Sequence, residues 1–378
     1  MYNLTEDQLL IKNMVREFAE SEVRPIAGAI DKEHRFPEES IPRMAELGLF
    51  GLTIPEGYGG SGGDVLSYIL AVEELSRVSA THGVILSVHM SVCTQAILQY
   101  GTEAQKKKYL PDLAGGRKLG AFAITESGAG SDASGQTTSA VRKGDSYILN
   151  GTKIFISNGG YAGVFLVMAV TDRSKGLKGL TVFIVEKEFP GFMVGQLEEK
   201  MGICGSSTTE IILKDCVVPA ENVLGEEGGG FKVAMGALDG GRISIGAQGV
   251  GLAQGALEAA VDYARQRVQF GRPIAENQGI QWMLADMALE VEASRLLVYN
   301  AARLKDQHKN YSRQSAMAKL HAAQTAMSVT TRAVQIHGGI GYTRSYPVER
   351  YMRDAKIIEI YEGTNEIQRM VIARHLLA

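Results

Sequence analysis

The sequence predicts an α+β protein in three consecutive parts. These are a helical N-terminal domain over residues 1–117, a middle β domain of barrel or sandwich type over 118–225, and a C-terminal four-helix bundle over 226–378. Three observations carry this. Apolar residues recur at helical spacing in the first part, short apolar runs broken by Gly, Ser and Asp fill the second, and long helical stripes return after Gly228-Gly229-Gly230. No βαβ nucleotide-binding signature interrupts that order.

In the first part, Thr5 through Gln8 reads as a capping box that opens an amphipathic helix. Leu10, Met14 and Phe18 mark its apolar face, and Val84, Leu86, Val92 and Ile97 mark a later helix. The glycine-rich stretch 56–63 must be a loop. In the second part, 163–170 and 180–185 read as buried strands, and Ser146–Gly151 as a strand running into a turn. A further strand is expected over 153–159. In the third part, Ile280, Leu284, Met287, Val291 and Val298 form one helical stripe, and Met317, Leu320, Met327 and Val334 another. Gly251 and Gly255, four apart, would let helices approach closely.

Length and composition exclude several classes. At 378 residues, two or three domains are expected. The balance of 39 basic against 42 acidic residues leaves no footprint for nucleic acid or an anionic membrane. Lys106-Lys107-Lys108 reads as a solvated helix face. Cys93, Cys204 and Cys216 are odd in number, form no CxxC and have no His at metal-ligand spacing, so idle thiols in a reducing compartment and no metal are expected. No apolar run reaches the ~18 residues of a membrane span. With the capping box almost at the first residue and no leader read, a prokaryotic cytoplasmic protein is expected.

Two segments carry chemistry. Ile360–Arg369 (IYEGTNEIQR) sets one carboxylate, Glu362, directly before Gly363 and Thr364, where the glycine lets backbone come close to a ligand. Upstream, Ala123–Asp132 (AITESGAGSD) combines hydroxyls, glycines and acids. By composition alone it is equally a ligand loop or a surface loop. Arg265–Arg272 puts three guanidinium groups beside Phe270 and a Gly turn; it reads either as a solvated helix end or as a phosphate grip.

Together these segments resemble the acyl-CoA dehydrogenase family, flavoenzymes that desaturate CoA thioesters, and the resemblance extends over essentially the whole chain. It implies FAD as cofactor, an acyl-CoA substrate, an electron-transfer flavoprotein as partner, a homotetramer and a place in fatty acid β-oxidation. At the flavin it implies Phe122, Thr125 and Ser131 on the first signature, with Ser131 also meeting the CoA arm. Phe155 and Ser157 stand at the flavin edge, where many members have Trp and Thr. For the pyrophosphate and adenine end it implies Arg267, Gln269, Phe270 and Gln278. Gln335, Gly338 and Gly339 belong to the second signature, which departs from the family at Ser345. Thr364 and Glu366 complete the cofactor set. The ADP contacts come from a neighbouring subunit in the family. Asp239, Arg242, Tyr361, Gly363 and Arg374 are implied for the substrate.

For the reaction, the resemblance implies that Glu362 abstracts the proton next to the thioester carbonyl. Some members carry that base immediately before the arginine of the Asp239–Arg242 motif, but here that position is Gly241. The helix around Ile85–Cys93 is expected to line the acyl pocket. Taken whole, the chain is most similar to short-chain, butyryl-CoA type members. The alternatives are a branched or alicyclic substrate, an enoyl-CoA reductase or an oxidase on the same site, or a non-catalytic flavin-binding scaffold.

Overall fold

The structure, a computed structural model, describes residues 4–377. Seven helices come first: α1 (Glu6–Phe18), α2 (Arg24–Glu33), α3 (Ile41–Glu46), α4 (Val65–Val78), α5 (Ala80–Ser87), α6 (Gln95–Tyr100) and α7 (Glu103–Ala114). The capping box forms as expected, with Gln8 N donating to Thr5 Oγ1 (3.2 Å) and Thr5 N to Gln8 Oε1 (3.0 Å). The face of α1 differs from expectation. Gln8, Val15 and Phe18 are buried while Leu10 is 66% exposed, because α1 packs on α4 one step round from the predicted stripe.

Helix α4 is buried along almost its whole length and carries Glu73, Glu74 and Arg77 into the interior. Each acid is paired there, Glu74 to Arg16 and Arg77, and Glu73 to Arg295 and the Tyr299 hydroxyl. That pairing is what a buried charge requires. The helical stretch Ala80–Tyr100, with a π-helical segment at Val88–Thr94, is long and apolar enough to cross a membrane by composition. Ser, His and Thr interrupt this stretch, so it contains no unbroken apolar run of that length. Its most apolar window is 89% buried inside the protein, so it is a core helix.

Strands β1 (Leu119–Ala123), β2 (Ser139–Lys143), β3 (Ser146–Ser157), β4 (Ala162–Val170), β5 (Leu180–Glu186), β6 (Phe192–Leu197), β7 (Thr208–Pro219) and β8 (Val223–Leu224) follow in one eight-stranded sheet. Its order is β6-β7-β3-β2-β4-β5-β8, with β1 running parallel to β4. The turn predicted at Gly151 does not end its strand. β3 continues to Ser157, and Asn150-Gly151 instead marks a register shift against β7. A second shift falls between Lys153 and Ile156.

The last part holds α8 (Gly230–Gln266), the short hairpin β9 (Val268–Gln269) and β10 (Arg272–Pro273), then α9 (Gln278–Asp306), α10 (Ser312–His337), α11 (Val348–Ile358) and α12 (Asn365–Leu377). Helix α9 buries Met287, Val291 and Val298 as expected. Helix α10 does not use its predicted stripe. Its buried face is Ala318, Lys319, Ala322, Ala326, Val329 and Ala333, while Met317, Leu320, Met327 and Val334 are half-buried. The cause is close packing on α8: Cβ atoms added at Gly246 and Gly249 would meet the α10 backbone at Ala318 and Ala322, so only small residues fit between.

The glycine pair Gly251 and Gly255 does what its spacing suggests, against α4. A Cβ at Gly251 would stand 2.8 Å from Ser76 Cβ, and one at Gly255 would overlap the Arg77 carbonyl oxygen and stand 3.1 Å from its carbon. Gly255→Ala is therefore expected to lower stability by about 1–3 kcal/mol, read as a lower denaturant midpoint, even though alanine favours helix.

Candidate active site

After α11 the chain turns sharply before α12. Ile360 N and Tyr361 N both bond back to Ile357 O, at 2.9 and 3.0 Å. Glu362 and Gly363 then take left-handed conformations, φ 54° and 92°. A non-glycine residue there costs roughly 1–3 kcal/mol and persists only where the surroundings fix it. Here Thr364 Oγ1 accepts from Ile367 N (3.3 Å) and caps α12, while Gly363 O accepts from Gln368 Nε2 (2.7 Å) and Lys319 Nζ (2.8 Å).

The turn sends the Glu362 carboxyl toward α8. Its Oε2 is buried and has no hydrogen-bond partner among the described residues. A methyl group at Gly241 would overlap that oxygen and lie 3.0 Å from the carboxyl carbon and 3.1 Å from Val92 Cγ1. The bare backbone at 241 is thus what leaves room for the carboxylate. Burial pushes Glu362 up to about 7, with the charges of Arg242 and Lys319 pulling the other way. An unpaired carboxyl that titrates near neutrality is suited to take and return protons.

Around it, Arg242 is buried, pairs with Asp239 and keeps an unpartnered Nε. The Tyr361 hydroxyl donates to Gln248 Oε1. Burial and the nearby Glu362 charge hold the Tyr361 phenol protonated, well above its ordinary range. On the α5 side, Ser87 Oγ and Ser244 Oγ share a 2.8 Å hydrogen bond, and Tyr68 donates to Ser87 O (3.2 Å). Arg374 lies exposed in the last turn of α12, and Glu366 is exposed and pairs with Arg369 at 3.4 Å.

A second cluster sits on the β domain. Phe122, next to last in β1, is 9% exposed, and Thr125 O accepts from Ile154 N (2.9 Å), joining the Ala123–Asp132 segment to β3. The bulge in β3 gives Phe155 a φ of 59° and leaves its ring 59% exposed; Ser157 is half-buried and Ser131 exposed. Beneath them, fully buried Lys153 reaches Glu126 Oε1 (2.7 Å) and Gln136 Oε1. Glu126 also accepts from Thr137 N (2.7 Å) and Thr138 N (3.0 Å). Burial works against this carboxylate, yet Lys153 and those donors hold it down at about 2. The pair locks loop and strand into one plate.

A third region is a cavity of about 790 Å³ where α8, the β9–β10 hairpin and the end of α10 meet. Arg267, Gln269, Gly338 and Gly339 line it, with Tyr263, Ile336 and His337. Nothing stands within 4 Å of where a Cβ would be at Gly338 or Gly339. His337 stacks on Tyr263 (centroids 4.3 Å apart), and its buried Nε2 has no hydrogen-bond partner among the described residues. Phe270, Gln278 and Gln335 are exposed beside this region, Phe270 completely. None of Phe122, Thr125, Ser131, Phe155 or Ser157 lines the cavity. Within one chain the expected cofactor residues therefore fall into two main groups, with Thr364 and Glu366 apart from both at the start of α12.

Sequence reasoning missed Lys319, Gln248, Tyr68 and Ser244, and it gave no role of their own to Gln368, Ser87, Lys153 and Glu126, which lie in segments it had singled out. The available signal was a lone lysine amid the alanines of α10 and a lysine inside a buried strand.

Comparison with known proteins adds three family models, described as the N-terminal, middle and C-terminal domains of acyl-CoA dehydrogenase. They match residues 5–117, 121–216 and 228–377. The chain is 55% identical to the short-chain specific acyl-CoA dehydrogenase of Clostridium acetobutylicum, over 98% of each chain. It is 52% identical to the acryloyl-CoA reductase (NADH) of Anaerotignum propionicum, over 100% of this chain and 96% of that one. Among solved structures it superposes with a TM-score of 0.99 and 55% identity on a chain from work on the electron transferring flavoprotein of Acidaminococcus fermentans and flavin-based electron bifurcation. That match covers 100% of this chain and 99% of the other.

Proposed function

Because the chain belongs to the acyl-CoA dehydrogenase family, we propose that it is an FAD-dependent dehydrogenase that introduces an α,β double bond into a short-chain acyl-CoA and passes the electrons to an electron-transfer flavoprotein. The observation that carries this is the buried, unpartnered carboxyl of Glu362, poised near neutrality opposite the bare backbone of Gly241.

FAD fits the residues present. The His337 Nε2 without a partner, the open faces of Gly338 and Gly339 and the guanidinium of Arg267 suit the pyrophosphate and adenine end. The exposed Phe155 ring and the hydroxyls of Thr125 and Ser157 suit the flavin end. When bound, FAD supplies the acceptor for the hydride that leaves the β-carbon. Glu362 takes the α-proton, and its backbone N–H donates to the thioester oxygen as negative charge develops there. Asp239 and Arg242 hold the CoA arm, and Tyr361 and Gly363 border the thioester. Val92 and its helix confine the acyl chain. The same reading divides the chain into domains at residues 117 and 225.

A homotetramer follows from the same reading, since the two groups of cofactor residues would meet across an interface between copies. Supporting it, α9 exposes Trp282, Leu289 and Leu296 at seven-residue intervals, and Phe270 is uncovered. A second reading, reduction of a short enoyl-CoA at the same site, is favoured by the 52% identity to an acryloyl-CoA reductase.

The test is anaerobic addition of butyryl-CoA to the purified yellow protein. Bleaching of the visible bands is expected, and its rate should rise with pH through about 7 and then level. The sign follows from the base: Glu362 works only unprotonated, so each pH unit below 7 should cost roughly tenfold. A protein that never takes up FAD, or one that no acyl-CoA bleaches, overturns the proposal. NADH oxidation driven by a short enoyl-CoA would favour the second reading.

A further inference from the structure

The left-handed turn that carries Glu362 is held by two donors from different helices, both completely buried. Lys319 reaches in from α10 and Gln368 from α12, and both donate to the single carbonyl of Gly363, at 2.8 and 2.7 Å. Gln368 Nε2 also approaches the Glu362 carbonyl (3.3 Å), and Lys319 Nζ approaches Asn365 Oδ1 (3.4 Å). Asn365 N closes the turn on Glu359 O at 2.9 Å.

The chemistry of Lys319 is unusual for a packing residue. A buried ammonium is expensive unless it is paired with a carboxylate. Among the described residues one other lysine is fully buried, Lys153, and it has the Glu126 carboxylate at 2.7 Å. The hydrogen bonds of Lys319 go only to the carbonyl of Gly363 and the amide oxygen of Asn365, both in the turn next to Glu362. Two consecutive residues with positive φ are not a conformation the chain adopts unaided when one of them is a glutamate. Something must hold it, and these two side chains grip the peptide unit directly after the carboxylate-bearing residue.

We propose that Lys319 and Gln368 are positioning residues for the reaction: by clamping the Gly363 carbonyl they fix the Glu362 side chain in the orientation that points its carboxyl at the site. This rests on Glu362 being the base. Neither side chain needs to touch substrate or cofactor. Their effect is to prevent the turn from relaxing to an ordinary conformation that would swing the carboxyl away from Gly241.

The experiment uses the full-length holoenzyme, with Lys319→Met and Gln368→Met compared with wild type. Turnover of butyryl-CoA per bound FAD is measured alongside amide deuterium uptake of the 359–365 segment. Each variant is expected to lose roughly 10–100-fold in kcat per flavin, with KM changed by less than about threefold, because misplacing the base by an ångström acts on the reacting geometry and not on binding. Uptake in the 359–365 segment should be faster in both. A kcat per flavin within about twofold of wild type, with loss confined to thermal stability, would overturn the proposal and leave a structural role only. Gln368→Met is the deciding variant, since it removes a donor to the same carbonyl without removing the Lys319 charge that helps keep Glu362 ionised. A wild-type enzyme that reacts with no acyl-CoA in either direction would sink the base assignment itself, whereas an active wild type with equally active variants would sink only the clamp.

Discussion

Glu362→Gln is expected to lower turnover of butyryl-CoA by roughly 10²–10⁴-fold, the usual contribution of a general base, while FAD stays bound. Glutamine keeps the size and the left-handed turn, because Lys319 and Gln368 grip the Gly363 carbonyl and not the carboxyl. What it removes is the ability to accept a proton. The expected cofactor residues on β1, β3, the β9–β10 hairpin and the end of α10 lie outside the turn that carries Glu362. A variant that is yellow, stable and inert separates chemistry from folding.

Gly241→Ala is the second large effect. The added methyl would overlap Glu362 Oε2 and lie 3.1 Å from Val92 Cγ1. The carboxyl is the far end of a flexible side chain, so it moves and the fold survives. Alanine in the middle of α8 even gains ~1 kcal/mol of helix propensity over glycine. Displacing the reacting carboxyl by about an ångström should cost on the order of 10²-fold in rate. Unchanged circular dichroism with a hundredfold slower bleaching is the expected pair of results. Gly255→Ala makes the contrast, since there the methyl meets a backbone carbonyl that cannot yield, and stability falls instead.

The order helical, β, helical was legible because periodicity changes from helical to strand-like and back over long windows. The proposed base, Glu362, was singled out by a short motif, and the structure places bare Gly241 opposite its carboxyl. Where inference failed, packing overrode pattern. Asn150-Gly151 looks like a turn, yet β7 lies alongside and accommodates it as a register shift. The Met and Leu residues of α10 looked like its core face, yet α8 approaches so closely through Gly246 and Gly249 that alanines take that face. Lys319 and Lys153 stayed hidden because a buried lysine is recognisable only once its partners are known, and these lie 44 and 27 residues away in sequence.

The central claim is that Glu362 removes the α-proton, and solvent exchange tests it most directly. Butyryl-CoA incubated anaerobically with the holoenzyme in deuterium oxide should gain deuterium at the α-carbon, followed by NMR, as Glu362 takes a proton and returns a deuteron. With Glu362→Gln, holding the same FAD content, the α-position should stay protonated over the same period. Exchange by the variant as fast as by wild type would contradict the account and move the base to another residue.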